Sequence, residues 1–251
     1  MKEYRNRTYR HAFRGDRWLG FVVKHKETDI WVGVNPDSYV PEMQDCVRQT
    51  LTSLRREVDL YIDKSPFFAR TLRPYQPEST APSVVKRMAE AAARADVGPM
   101  AAVAGAFAEH VALCLKAEFG VGEVMVENGG DIYADVKAPI DVSVFAGESP
   151  LSGRVGMCIP AEETPLGICT SSGTVGPSLS FGRADAVMIV SKDPLLADAF
   201  ATSYGNRIHT PADFEPVIRD IQQQESILSA LIVKDEEMAI VGKFELRLFT
   251  D

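Results

Sequence analysis

A Gly-Gly turn between two strand-like segments is the feature that most constrains how this chain can fold. Residues 127–131 read Glu-Asn-Gly-Gly-Asp, with an apolar segment at 121–126 and an alternating apolar and polar segment at 132–136. Such segments predict β-strands, and paired glycines allow the positive φ angles of a tight turn. The sequence therefore predicts a β-hairpin whose turn, Gly129 and Gly130, lets a ligand approach bare backbone. An ordinary hairpin turn is the alternative.

Polar side chains flank this turn and recur in a second segment. Asn128 and Asp131 place an amide and a carboxylate at the rim of the turn. Residues 170–174 read Thr-Ser-Ser-Gly-Thr and end another strand-like stretch, so their hydroxyl and backbone N–H groups can form an anion-binding loop. The predicted ligand contacts in this loop are Thr170, Ser171, Ser172, Gly173 and Thr174.

A third polar pair lies on a predicted helix that begins after Asp193 and a proline. Asp198 and Thr202 are four residues apart, so their oxygen atoms lie on one helix face. A carboxylate with a hydroxyl suits magnesium, which completes its coordination with water and substrate phosphates. The sequence thus predicts a metal site at Asp198 and Thr202, with a threonine bonded to its own helix backbone as the alternative. Asp131 and Asp198 are the candidate catalytic bases.

The hydrophobic periodicity predicts an α+β layered fold. Apolar residues recur at helical spacing in long segments, and short strand-like segments lie between them. This pattern predicts a largely antiparallel sheet covered by helices, with Gly105 at a close helix contact or ligand approach. We expect a single domain over residues 1–251, with a proline-rich connector at about 66–82 as the best candidate for a flexible boundary. The later predicted elements include a helix over 212–224 and a strand over 239–249.

Composition excludes several classes of partner. The 27 basic and 35 acidic residues give a net charge of −8, which disfavours nucleic acid, although the first 26 residues are rich in Arg and Lys. We interpret that basic start as a solvated edge, with an anion-binding face as the alternative. The sequence shows no signal peptide and no apolar run of roughly 18 residues, so we predict a cytoplasmic protein without a membrane partner.

The cysteines and histidines do not form a recognisable metal motif. None of the four cysteines has CxxC spacing, and the four histidines form no HExxH motif. We therefore predict reduced cysteines in the core and no zinc site. These cysteines are Cys46, Cys114, Cys158 and Cys169.

Three sequence blocks resemble the ApbE superfamily, the FAD:protein FMN transferases. Residues 127–132 resemble its Asn-Gly-Gly-Asp strand turn, and residues 170–173 resemble its Thr-Ser-Gly step. Residues 197–202, Ala-Asp-Ala-Phe-Ala-Thr, are similar to its Ala-Asp-Ala-x-Ala-Thr helix. The blocks follow the family's order across about residues 96–206, and the sequence looks most like a cytoplasmic, uncharacterised ApbE-like branch.

The resemblance implies a T-fold-like ApbE architecture, magnesium held by Asp198 and Thr202, and FAD or a related flavin nucleotide as ligand. It also places residues 96–98 and Gly105 near the family's flavin segment. The sequence departs from the transferases in four respects. It lacks their export signal and their early Met-Gly-Thr, it has Ala104 in place of a lysine, and residues 177–182 contain no His-Ile-Ile-Asp-Pro.

Three interpretations of function follow. In the first, the protein binds a small phosphorylated ligand such as a flavin nucleotide with magnesium and catalyses phosphoryl or nucleotidyl transfer. In the second, it is a non-catalytic ligand-binding or accessory module in cofactor or sulfur metabolism that has lost flavin transferase activity. In the third, the polar turns are purely structural, for instance at a homodimer interface.

Overall fold

A computed structural model describes residues 17–175 and 180–249 and builds them into two sheets with helices. Most of the basic segment that we interpreted as a solvated edge therefore lies outside the described residues. The helices are α1 (Glu42–Lys64), α2 (Phe67–Arg70), α3 (Ser83–Arg94), α4 (Val103–Phe119), α5 (Pro194–Gly205) and α6 (Phe214–Ile221). The strands are β1 (Leu19–His25), β2 (Thr28–Val34), β3 (Val124–Asn128), β4 (Asp131–Asp135), β5 (Ile140–Ser143), β6 (Val155–Ile159), β7 (Leu166–Ser171), β8 (Ala186–Ser191), β9 (Ile227–Lys234), β10 (Glu237–Gly242) and β11 (Leu246–Leu248).

The predicted hairpin lies in the middle of an eight-stranded antiparallel sheet. The strand order is β1-β2-β3-β4-β7-β8-β9-β10, and a second, three-stranded sheet has the order β11-β6-β5. Asn128 pairs with Asp131 across the turn, and Gly129 and Gly130 have φ angles of 74° and 106°. Both turn residues thus occupy the backbone region that glycine tolerates best, which confirms the hairpin.

The large sheet separates two hydrophobic layers. Side chains alternate along β3, so Val124 and Val126 pack towards the helices while Met125 packs towards the three-stranded sheet. On β4, Tyr133 belongs to the helix side and Ile132 to the other. Asp131 lies two residues before Tyr133, so the same alternation directs its carboxylate towards the helices.

Helix α4 is apolar enough to be considered for a membrane span. Within the described residues, the segment Pro99–Phe119 is the one helix with the length and composition to cross a bilayer. In this fold it contacts α1, α5, β3 and β4, and Ala106, Ala108 and Val111 are fully buried. These contacts identify it as a core helix of the folded domain.

Two predicted segments differ from the structure and a third does so only in part. The predicted strand at 239–249 is split, because the chain turns at Gly242, whose φ is 113°, and β10 and β11 join different sheets. The predicted helix at 212–224 shortens to a 3₁₀ turn followed by α6. The connector at 66–82 is irregular, as its prolines predict, apart from the single-turn helix α2, which buries Phe68 completely in the core; its role as a flexible boundary stays a prediction.

Candidate ligand and metal site

The site is organised around a close crossing of α4 and α5. A Cβ atom at Gly105 would lie 2.4 Å from the Pro194 carbonyl oxygen, so only glycine permits this approach. The Gly105 N–H donates a hydrogen bond of 2.9 Å to Asp198 Oδ2, and the Ala104 N–H also contributes to that carboxyl group. The first-turn N–H groups of α4 have no partners within the helix, so the Asp198 carboxylate satisfies donors that would otherwise be unpaired.

Asp131 provides a second buried carboxyl group beside Asp198. Asp131 and Asp198 are each about 8% exposed. The Cys169 thiol and the Thr170 backbone N–H lie close enough to Asp131 to lower the pKa of its carboxyl group. Cys169 faces Asp131 directly in the β4–β7 register, and its own pKa is raised by burial and by the two nearby carboxylates. The fold therefore brings two acids from distant parts of the sequence into one buried site.

Burial shifts the protonation of both acids. Loss of hydration raises the pKa of Asp198 to about 7, although the Gly105 and Ala104 N–H groups lower it. Burial raises the pKa of Asp131 well above its usual value, and the charge of Asp198 raises it further. A bound cation would offset both penalties, and an acid with a pKa near neutrality is suited to proton transfer.

These shifts predict a pH dependence of stability in metal-free buffer. The pKa of Asp198 is about 7 in the folded protein against a usual 3.8, so between these values the folded state binds more protons than the unfolded chain. Its contribution to the free energy of unfolding should therefore fall as pH rises through this window, by at most about 1.4 kcal/mol per pH unit, and level off above it. Chemical denaturation of wild type and Asp198→Asn across this range tests the prediction. A difference between the two proteins that does not change with pH would contradict it.

The two acids line a cavity that can hold a small molecule. Its volume is about 730 Å³, and Asp131, Asp198 and Thr202 all contribute to its wall. This volume lies within the range of roughly 300–1,000 Å³ found for ligand pockets. The structure thus brings together three of the sequence-predicted residues on one surface.

The side-chain oxygen atoms that line this cavity are better suited to bind magnesium than a transition metal. In residues 17–175 and 180–249, no three His, Cys, Asp or Glu side chains converge into a metal-binding group. Asp131, Asp198 and Thr202 offer hard oxygen atoms, and magnesium commonly uses one or two carboxylates, with water and phosphate as its other ligands.

The glycine turn lies next to the carboxylates without lining the cavity itself. The Gly130 N–H donates to Glu127 Oε1 at 2.8 Å, and a Cβ at Gly130 would lie 3.6 Å from the Thr170 carbonyl oxygen. The Asn128 side chain donates to the Ala104 carbonyl oxygen at 3.3 Å. These contacts connect the turn to the first turn of α4 and to β7, so they fix the position of Asp131.

None of the residues 170–174, which the sequence predicted as ligand contacts, lines the cavity. The Ser171 hydroxyl approaches the end of α5, 3.4 Å from where a Cβ at Gly205 would lie. The Ser172 hydroxyl accepts from the Val175 N–H at 2.9 Å, and the Thr174 hydroxyl donates to Asp185 at 3.0 Å. The Gly173 N–H donates to the Ala184 carbonyl oxygen at 2.8 Å. Ser172, Gly173 and Thr174 thus stabilise their own loop, and their predicted role as ligand contacts stays a prediction.

Sequence comparison assigns the chain to a family. The sequence model described as AbpE bacteria matches residues 10–238. The chain belongs to this family. A UPF0280 protein of Methanocella arvoryzae is 41% identical over 218 residues, covering 87% of this chain and 86% of the relative. A UPF0280 protein of Methanococcus vannielii is 37% identical over 234 residues, covering 91% of this chain and 92% of the relative.

Solved structures share the fold of this AbpE family member. The apo flavinyl transferase ApbE of Pseudomonas stutzeri has 13% sequence identity and a TM-score of 0.57, covering 89% of this chain and 93% of that one. The ApbE protein of Thermotoga maritima has 12% identity and a TM-score of 0.54, covering 88% and 96%. These likenesses confirm the predicted ApbE-like α+β fold.

The cavity of this AbpE family member also has walls that the sequence did not indicate. Phe181 and Leu72 line it although their side chains are 57% and 53% exposed. The Phe181 N–H donates to Asn206 Oδ1 at 2.9 Å, which fixes the backbone under its ring. Arg94, Tyr204 and Arg207 line the cavity as well. Because these residues lie in loops or at helix ends, no periodic pattern in the sequence singles them out.

Proposed function

We propose that this protein binds a flavin nucleotide, or another phosphorylated ligand with a planar ring, together with magnesium. The single observation that carries the proposal is the pair of buried carboxyl groups, Asp131 and Asp198, in the wall of a cavity of about 730 Å³. Membership of the AbpE family and the fold shared with ApbE flavin transferases support a flavin as the ring-bearing ligand.

The role of the metal would be to neutralise the negative charge of the ligand's phosphate groups. Magnesium neutralises phosphate oxygen atoms and so favours phosphoryl or nucleotidyl transfer. Asp131, Asp198 and Thr202 would hold it, and the N–H groups of Ala104 and Gly105 would keep the Asp198 carboxylate oriented. The backbone provides these N–H groups, so this positioning does not require a lysine side chain at residue 104.

Apolar side chains that line the cavity would hold the ring. The Phe181 N–H donates to Asn206 Oδ1 at 2.9 Å and the Arg183 N–H donates to the Ile208 carbonyl oxygen at 2.7 Å, so hydrogen bonds hold the backbone around Phe181. An exposed aromatic ring beside a cavity is well suited to stack on a planar ligand, with Leu72 as a second apolar contact. The apolar residues that line the cavity include Ala69, Leu72, Val97, Met100, Ala101 and Phe181.

Separate ligand fragments test the phosphate and ring parts of the proposal. Calorimetric titrations with FAD, riboflavin and pyrophosphate, each with magnesium or with EDTA, are expected to show metal-dependent binding of FAD and pyrophosphate. Riboflavin has no phosphate, so its weaker binding should not respond to EDTA. Absence of magnesium-dependent binding for both phosphate ligands would contradict the proposed metal site.

In the same titrations, Phe181→Ala tests whether the ligand ring stacks on the side chain of Phe181. Stacking of one base on an aromatic side chain is worth about 1–3 kcal/mol, so the affinity for FAD and riboflavin should fall by roughly 5- to 150-fold. Pyrophosphate binding should not change. Phe67→Ala is the matched control, because Phe67 is 65% exposed and does not line the cavity. Equal losses for riboflavin and pyrophosphate would argue against a stacking role.

The second candidate function is ligand binding without catalysis. The absence of a His-Ile-Ile-Asp-Pro segment at residues 177–182 favours a protein that binds its ligand without transferring it. Incubation with FAD, magnesium and a protein that offers an acceptor hydroxyl distinguishes the two, because transfer of FMN to that hydroxyl, or to water, breaks the pyrophosphate bond and releases AMP. AMP release that Asp198→Asn abolishes supports the enzyme, and tight binding without AMP release supports the binding module.

A further inference from the structure

Two cysteines meet where α1 packs against α4. The Sγ atoms of Cys46 and Cys114 lie 3.1 Å apart, and the Thr50 hydroxyl donates to Cys114 Sγ at 3.1 Å. Both cysteines are free and half-buried. No sequence pattern indicates this contact, because the residues are 68 positions apart.

We propose that Cys46 and Cys114 form a reversible disulfide when the protein meets a peroxide. A disulfide requires a sulfur–sulfur distance of about 2.05 Å, so the two sulfur atoms must approach by only about 1 Å. The bond would connect α1 to α4. It would revise the prediction that all four cysteines are simply reduced core residues, and it does not depend on the proposed ligand.

The chemistry balances with hydrogen peroxide as oxidant. A thiolate of the pair attacks one peroxide oxygen, so an S–O bond forms as the O–O bond breaks and one water leaves. The second thiol then attacks the sulfenic sulfur, an S–S bond forms, the S–O bond breaks and a second water leaves. Two thiols thereby lose two electrons and two protons, and one peroxide becomes two waters. Burial and the neighbouring Cys114 raise the pKa of Cys46 to about 11, so its oxidation should be slow at neutral pH.

The other two cysteines provide internal controls. Cys169 is fully buried between the sheet and α5, where its thiol lies 3.5 Å from the Pro194 carbonyl oxygen. Cys158 lies on β6 in the three-stranded sheet and is half-buried. Cys158 is thus about as accessible as the pair but belongs to a different layer of the fold. A general reaction of exposed thiols would modify Cys158 as readily as Cys46 and Cys114.

Oxidation of the full chain followed by peptide mapping tests the disulfide. After treatment with millimolar hydrogen peroxide and alkylation of the remaining thiols, we expect one cross-linked peptide that contains Cys46 and Cys114 and disappears on reduction. The cross-link should raise the melting temperature by about 5 °C or more, because it closes a long loop and so restricts the unfolded chain.

Single variants complete the test. Cys46→Ser and Cys114→Ser should each abolish the cross-link and the rise in melting temperature, whereas Cys158→Ser should retain both. Sulfinic acid at separate cysteines, a cross-link to Cys158, or a covalent dimer in place of the internal link would overturn the proposal. An unreacted pair under conditions that oxidise Cys158 would overturn it as well.

Discussion

Replacement of Asp198 by asparagine is expected to abolish magnesium-dependent ligand binding while stabilising the metal-free protein. The amide retains the shape of the carboxyl group, and its oxygen can still accept from the Gly105 N–H, which donates to Asp198 at 2.9 Å in the structure. Without a negative charge the metal loses a ligand, so affinity for FAD in magnesium should fall by about 100-fold or more.

The stability of the same variant should move in the opposite direction. Asp198 is about 8% exposed and its pKa is raised by burial, so its ionised form is a cost to the folded state at alkaline pH. Removing that charge should raise the free energy of unfolding in EDTA by about 1–3 kcal/mol. Denaturant unfolding and calorimetry on one preparation measure both effects.

Asp63→Asn is the matched control for the charge change. Asp63 is exposed on α1, away from the cavity, so its substitution should alter neither binding nor stability appreciably. Retention of magnesium-dependent binding by Asp198→Asn would remove Asp198 from the metal site. Reduced stability of the metal-free variant would instead show that the Asp198 carboxylate stabilises the fold by accepting hydrogen bonds from the N–H groups in the first turn of α4.

Replacement of Gly105 by alanine is expected to cause a large loss of stability. The added Cβ would lie 2.4 Å from the Pro194 carbonyl oxygen and 3.2 Å from Asp198 Cβ, so α4 and α5 must move apart. Forced insertion of a methyl group into a close contact costs about 1–3 kcal/mol or more, which exceeds the helix-propensity gain of about 1 kcal/mol for alanine over glycine. A lower melting temperature and weaker ligand binding are both expected, because the Gly105 N–H would no longer reach Asp198.

Gly205→Ala is the matched control for helix glycine. Gly205 ends α5, and a Cβ there would meet only Ser171, at an ordinary contact distance of 3.4 Å from its Oγ. The free energy of unfolding of the Gly205→Ala variant should change little or rise slightly, because alanine has a higher helix propensity than glycine. Equal effects of the two substitutions would show that helix propensity, rather than the crossing of α4 and α5, determines the outcome.

Local sequence signals predicted the parts of the fold that depend on neighbouring residues. The Gly129–Gly130 turn requires positive φ angles, which two glycines provide, and the Asp193 side chain accepts the Leu195 N–H at 2.9 Å as its position before a proline indicates. The helical spacing of apolar residues predicted α1 because one face of that helix is buried. The sequence failed at 239–249, where Gly242 redirects the chain and Phe244 enters the layer beneath the sheet.

In the candidate site, too, some features could be predicted from the sequence and others required the tertiary structure. Asp198 and Thr202 are one helical turn apart, so their shared surface follows from the sequence, and Asp131 follows from the hairpin. The sequence could not show that Asp131 and Asp198 share a buried site, that Phe181 borders the same cavity, or that Cys46 meets Cys114.

By itself, the sequence determined the hairpin, the helix starts and the alternation of faces, because backbone preference and side-chain periodicity act over a few neighbouring residues. Only the tertiary structure decided which carboxyl groups are buried together and in which direction burial shifts their pKa values. It alone also brought Phe181 to the cavity and Cys46 to Cys114. Those properties depend on contacts between residues many positions apart, and the close crossing of α4 and α5 at Gly105 is what brings the acids together.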